Sequence, residues 1–202
     1  GQFLKLRGEL GGKSSLYEVS YRDPWFMDKP ISFSTGVYKT TREYIEYDKD
    51  AFGVFLTFGK YLSEFWNASV SYNFERAKIT NIAEGASVII KDQEGTATTS
   101  SITPSIVRDS RDNYLDPSRG SRNSFTFTFA GIGGDNDFIK GELDSAWYFP
   151  WGPTAFMVRG RFGYAKGILD KQLPLYENFY VGGIYTVRGL GFGDAGPKDP
   201  ET

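Results

Sequence analysis

The ten residues WNASVSYNFE, 66–75, set Trp66, Ala68, Val70, Tyr72 and Phe74 at every second position, with Asn67, Ser69, Ser71, Asn73 and Glu75 between them. Successive side chains of a β-strand point to opposite faces, so this stretch is a strand with one apolar and one polar face. A helix of the same residues would scatter both sets around its axis.

The same period of two runs outward in both directions. Upstream, Leu4, Leu6 and Leu10 oppose Lys5, Arg7 and Glu9; Tyr17, Val19 and Tyr21 oppose Glu18, Ser20 and Arg22. Ile31, Phe33 and Val37 follow, then Phe52, Val54, Leu56 and Phe58. Downstream, Phe125, Phe127 and Phe129 alternate with Thr126 and Thr128; Ile139, Leu143, Trp147 and Phe149 oppose Lys140, Glu142 and Asp144. Phe156, Val158, Phe162 and Tyr164 oppose Arg159 and Arg161. The pattern predicts roughly nine strands over 1–168, most near the ~9–11 residues that a tilted membrane-spanning strand needs.

Two architectures use such strands. A soluble sandwich buries the apolar face between two sheets, whereas an outer-membrane barrel turns it to lipid and keeps a wet lumen. Long charged side chains in mid-strand (Lys5, Arg7, Glu142, Asp144, Arg159, Arg161) suit a lumen, and the strands are long for a sandwich. Connections also alternate in character. Those near Asp23–Pro30, Gly59–Phe65, Asp109–Ser121 and Phe149–Pro153 are rich in aromatics and proline, as in Pro24, Trp25 and Phe26 or Pro150 and Trp151. Those near Gly11–Ser14, Thr41–Asp50, Ile79–Thr98 and Gly131–Asp137 are rich in Gly, Ser, Thr and charge, and include the longest. An aromatic girdle on one side and long loops on the other place the first set in the periplasm. The expected fold class is therefore all-β, an antiparallel transmembrane barrel, with Leu4, Leu6, Val19, Phe52, Phe127 and Phe156 facing lipid.

Composition narrows the chemistry. The chain has 202 residues, 24 of them Gly, no His, no Cys and a formal net charge of -2. Zinc sites and Ser-His or Cys-His nucleophiles lack their usual ligands and bases, and no basic surface invites nucleic acid. No run of ~18 apolar residues could form a spanning helix, and the mean hydropathy is negative; neither fact counts against a barrel wall that is apolar only at alternate positions. The chain opens in mid-strand with GQFLKL, as a processed or truncated start would, and its last residues, GFGDAGPKDPET, lose the strand period inside a loop.

Three motifs carry a family resemblance. YENFYVGGIYTVRGL, 176–190, resembles the signature of the BamA superfamily (the surface antigen and two-partner-secretion transporters): Tyr-Glu-x-Phe, then Gly-Gly, then Val-Arg-Gly before an aromatic, which is Leu190 here. SITPSIVRDSRDNYLDPSRGSR, 101–122, is similar to a family strand running into a periplasmic hairpin, and YRDPWF, 21–26, to an earlier turn. The resemblance implies a barrel of about sixteen strands preceded by periplasmic POTRA domains, of which this chain is a central fragment. Residues 169–202 would begin a long loop folding back into the lumen, with POTRA domains and terminal strands absent. Its motif residues would be Tyr176, Glu177, Phe179, Gly182, Gly183, Val187, Arg188 and Gly189, with Arg188 docking on the inner wall. Asp109, Arg111, Asp112, Pro117 and Gly120 would make the periplasmic hairpin.

The function so implied is insertion of other β-barrels into the bacterial outer membrane, without covalent chemistry, cofactor or metal. The partners would be unfolded barrel clients, outer-membrane lipid and periplasmic lipoproteins of an assembly complex. A polypeptide-translocating pore of a two-partner secretion system and a passive porin-like barrel are the alternatives; the number of POTRA domains would separate the first two. Arg188 could be a structural strut, and the carboxylates around Asp109 read as a self-satisfied turn more than a calcium site. Glu142 and Asp144, with Lys140 and the two arginines on the same face, read as lumen ion pairs more than a glycosidase pair. The glycines at 189–193 follow no strand–helix unit and do not make a phosphate loop.

Overall fold

The computed structural model describes residues 1–86, 88–182, 189 and 190. Nine strands form one antiparallel sheet in chain order: β1 (Phe3–Gly11), β2 (Ser14–Asp23), β3 (Ser32–Glu43), β4 (Asp48–Tyr61), β5 (Trp66–Thr80), β6 (Gly95–Asp109), β7 (Gly120–Gly134), β8 (Phe138–Trp151) and β9 (Thr154–Gly167). Each pairs only with its neighbours in the chain, and the described sheet does not close, leaving β1 and β9 as edges. The helical content is slight: α1 (Val88–Lys91), in the β5–β6 connection, and two single turns. The all-β antiparallel fold is as expected.

Strand length is not. β5, β6 and β7 each run 15 residues, and β4, β8 and β9 each run 14. At ~3.3 Å per residue a 15-residue strand is about 50 Å long, well beyond an apolar band ~25 Å tall even when tilted. In β4, β5 and β7 the apolar alternation marks only part of the strand, and polar and glycine rows prolong the ladder past it.

Register joins the alternating residues into two continuous faces. Lys5 lies opposite Ser20, Ser20 opposite Gly36, Gly36 opposite Phe55, Phe55 opposite Asn73, and Asn73 opposite Ser101. On the far side of the sheet Ser105 meets Thr126, Thr126 meets Glu142, and Asp144 meets Arg161. Directly paired residues share a face, so Lys5, Arg7, Glu142, Asp144, Arg159 and Arg161 all lie on one polar wall. The other face carries Leu4, Leu6, Val19, Phe52, Phe127 and Phe156. No second layer covers it among the described residues: Leu6 is 73% exposed and Phe156 55%. A sandwich would have buried that face, so the sandwich alternative fails for want of an opposing sheet.

The two rims differ. At one, Asp23 Oδ1 accepts from the Trp25 N–H at 2.9 Å and turns the chain, and Phe26 packs against Phe33 with ring centres 4.7 Å apart. At the other, α1 folds inward and Ile90 joins Tyr47, Ile79, Ala86 and Leu175 in a small buried core. Pro104 stands in the centre of β6, where it has no N–H to donate. The β6–β7 ladder skips Thr103 and Pro104, and a hydroxyl contact between Thr103 and Thr128 at 3.0 Å bridges the gap.

Candidate functional site: a segment folded onto the polar wall

After β9 the chain turns through residues 168–174 and lays 175–182 across the polar wall. The entry is clamped by one amide: Gln93, just beyond α1, donates through Nε2 to the Leu173 carbonyl (3.1 Å), and its Oε1 accepts from the Leu175 N–H (2.9 Å). Two backbone groups that no strand could satisfy are thereby paired.

Tyr176 is half-buried in this segment. Its ring covers Lys49, whose Nζ lies 3.7 Å from the ring centre, and its hydroxyl accepts from Asn136 Nδ2 at 3.1 Å. Burial pushes the phenol up to about 12, so it stays a neutral hydroxyl at any ordinary pH. Beneath the ring Lys49 pairs with Glu75 at 2.7 Å, both side chains nearly buried, and Glu75 also accepts from the Tyr38 hydroxyl at 2.8 Å. Tyr38 in turn lies over Gly53, where an added Cβ would meet the Tyr38 ring at 2.3 Å.

Glu177 reaches the opposite wall and pairs with Lys140 at 3.2 Å; Lys140 also lies 3.8 Å from Glu142. Phe179 completes this side. Lys140 Nζ lies 4.9 Å from its ring centre, and the ring sits in a notch over Gly163, where an added Cβ would come within 2.6 Å. Two aromatic–lysine contacts and one ion pair thus hold the segment to β4 and β8, and the Phe179 ring over Gly163 holds it to β9. Dispersed over apolar ring and charged tip, such contacts work where water is limited but not absent.

The structure brings together Tyr176, Glu177, Phe179 and the charged side chains on the polar face of β8 and β9. Asp144 is held by Arg159 and, at 3.0 Å, by Arg161, while Arg7 pairs with Glu9 at 2.5 Å. Lys5 lies on the same wall on the distant edge strand, apart from this group. Gly182 is buried with φ 130°, a conformation suited to glycine. Gly189 also has a positive φ, 91°, and stands exposed. Gly183, Val187 and Arg188 lie outside the described residues.

The hairpin residues form a separate group at the aromatic rim. Arg111 grips Asp109 bidentately (2.8 and 2.7 Å), and Asp112 accepts from the N–H groups of Asn113, Ser118 and Arg119 and from the Ser118 hydroxyl. Pro117 shapes the return, and Gly120, at φ 100°, lets the backbone approach the Ser110 carbonyl, which a Cβ would meet at 2.1 Å. Both carboxylates are already engaged, which is the arrangement of a self-satisfied turn.

Sequence reasoning missed Lys49, Glu75, Tyr38, Gln93, Asn136 and Gly163. Signals existed for two kinds. Lys49 and Glu75 occupy polar-face positions in apolar strands, and Gly163 interrupts a polar face with nothing, the mark of a notch. Gln93 and Asn136 sit in connections, where periodicity says nothing.

Comparison with known proteins shows the family and the fold. The family model described as the Omp85 superfamily domain matches residues 1–202, the whole chain. The chain belongs to the Omp85 superfamily. Within it, the chain is similar to the outer membrane protein assembly factor BamA of Nitratidesulfovibrio vulgaris, 28% identical over 205 residues, which cover 100% of the chain and 26% of that protein. It is also similar to the sorting and assembly machinery component 50 homolog of Mus musculus, 26% identical over 197 residues, covering 93% of the chain and 41% of the relative. In fold it matches the crystal structure of BamA from Haemophilus ducreyi lacking POTRA domains 1–3, with a TM-score of 0.87 and 17% identity over 98% of the chain and 41% of that structure. This Omp85 chain thus spans well under half the length of these relatives. They come from bacteria and an animal alike, so family membership leaves the expected bacterial location open.

Proposed function

We propose that this Omp85 chain is the central part of an outer-membrane barrel that assembles and inserts other β-barrel proteins. The observation that carries this reading is the 175–182 segment folded back onto the polar wall and fixed there by Tyr176, Glu177 and Phe179, with the opposite face of the sheet left apolar and uncovered. The relatives named as assembly factors support insertion over secretion or passive diffusion.

A client strand cannot enter hydrocarbon with its N–H and C=O groups unpaired, because each costs several kcal/mol, about the strength of an unmade hydrogen bond in an apolar medium. A barrel offering strand edge as template pairs those groups while the client is still at the interface. The wall segment contributes stiffness: it ties β4 to β8 and β9 across the lumen, so movement elsewhere in the wall does not collapse it. Residues 169–202, with Arg188 at the tip, form the inward loop in this proposal, and the periplasmic partners, lipoproteins among them, approach from the aromatic rim. The setting is the bacterial outer membrane.

Two measurements on the full-length protein in lipid vesicles test the proposal. An unfolded barrel client should become protease-resistant faster with the protein present than in empty vesicles, and equal rates would overturn the assembly function. A nitroxide carried at Val54→Cys should collide with oxygen more than with a polar nickel chelate. The reverse would remove the lipid-facing wall.

A further inference from the structure

The apolar face ends abruptly on β3–β5. Its last wholly apolar row is Val37, Val54 and Phe74, partners across three strands. Two residues on, the next row of the same face is Lys39, Phe52, Arg76 and Thr98, and the one after is Thr41, Asp50, Lys78 and Thr96. Lys39, Arg76 and Lys78 are exposed, and none forms an ion pair among the described residues. They border one shallow depression with Phe52, Asp50 and Thr96. Asp50, the one carboxylate there, accepts a hydrogen bond from the Thr41 hydroxyl at 2.7 Å. At ~4.8 Å between strands and ~3.3 Å per residue, the three cations fall within about 12 Å of one another.

We infer that Lys39, Arg76 and Lys78 bind the headgroup phosphate of an anionic lipid whose acyl chains lie on Val37, Val54 and Phe74. The inference rests on the lipid-facing reading of this wall. An amphiphile beside the wall has two parts to satisfy, and the wall supplies both in the right order. The apolar row takes the chains. One strand-step beyond it, at the depth of the headgroups, an arginine fork can grip two phosphate oxygens while two ammonium groups add charge. The opposite ends of these strands carry Phe33, Phe58 and Trp66 on this face, with the single cation Lys60, so the basic cluster marks the rim of the long connections. In the orientation proposed above, this is the outer leaflet.

The test reads the amines directly in the full-length protein. Acylation rates of Lys39 and Lys78 are followed by mass spectrometry in phosphatidylcholine vesicles, in vesicles that also hold phosphatidylglycerol, and in phosphatidylcholine vesicles with free inorganic phosphate. Lys13, in the exposed β1–β2 turn at the same rim, is the internal comparator. Anionic lipid should slow Lys39 and Lys78 by roughly fivefold, the effect of one cation held at an anionic surface, and Lys13 by much less. Arg76→Gln should reduce the protection of both lysines. Equal rates with and without phosphatidylglycerol would overturn the inference, as would equal slowing by inorganic phosphate, which would make this a free-anion site. The Val54→Cys nitroxide keeps the two readings apart: lipid contact without headgroup dependence sinks the phosphate patch alone, whereas no lipid contact sinks both.

Discussion

Lys49 and Glu75 show how one residue pair can govern a segment far away in sequence. The pair is almost buried, and Tyr176 closes over it. Glu75→Gln would leave the ammonium of Lys49 under an aromatic lid without its carboxylate. Losing one partner of a buried pair typically costs about 3–5 kcal/mol, and the lower end applies here because both side chains keep some access to water. Heat-denaturation of the full-length barrel should show this destabilisation, with an undiminished midpoint removing the pair from the account. Gly163→Val is the matching test of the notch. Its side chain would occupy the place of the Phe179 ring and expel it, an overpacking defect of about 1–3 kcal/mol that should expose the 175–182 segment to protease. Gly160→Ala, on the same strand with nothing within 4 Å of an added Cβ, should do neither.

At the scale of elements, the connections divide into those that carry their own order and those that borrow it. The β6–β7 connection is of the first kind. Backbone and hydroxyl donors around Asp112 lower its carboxyl from 3.8 to about 2, the Ser118 hydroxyl contributing most. A depressed carboxyl contributes stability above its unfolded value and loses it as pH falls through the folded one, so the turn should loosen between about pH 4 and pH 2. Amide exchange at Ser118 and Arg119 reads this: protection should fall across that window in the natural protein, and Asp112→Asn should abolish the dependence. Unchanged protection down to pH 2 would dismiss Asp112 as the organiser. The β5–β6 connection is of the second kind, since α1 is ordered by Ile90 in the small core and by Gln93 on the inward segment.

The difference explains what was legible in the sequence. Strands and faces were, because period two is imposed at every residue and a single slip would move Phe52 or Lys5 to the wrong side. Strand ends were not, since the ladder continues into polar rows such as Thr98 and Thr96 that no apolar signal marks. Tyr176, Glu177 and Phe179 stood out through a family motif, but their partners on the wall did not. Contacts between residues more than a hundred apart, such as Lys49 and Tyr176, depend on how the sheet curves, and local pattern does not encode curvature.

For the whole molecule, the inward loop remains the functional proposal, with Arg188 as its leading charge. A guanidinium placed where water is restricted needs a bidentate acceptor, so Arg188→Ala in the full-length protein should lower both heat-stability and client insertion, and Arg188→Lys should restore them only in part. Wild-type behaviour of the Ala variant in both assays would reduce Arg188 to an ordinary loop residue.

The meander has a kinetic consequence as well. Because every described strand pairs only with its chain neighbours, each new strand closes just the connection before it and adds one ladder, so the entropic toll of any single step stays small. Such a wall can grow like a zip, one hairpin after another, and its growing edge is open at every stage. Growth can start at any neighbouring pair, and a partial sheet keeps an unpaired edge to which the next strand adds. A wall built this way carries its own template at every stage, since the strand last added sets the register of the next.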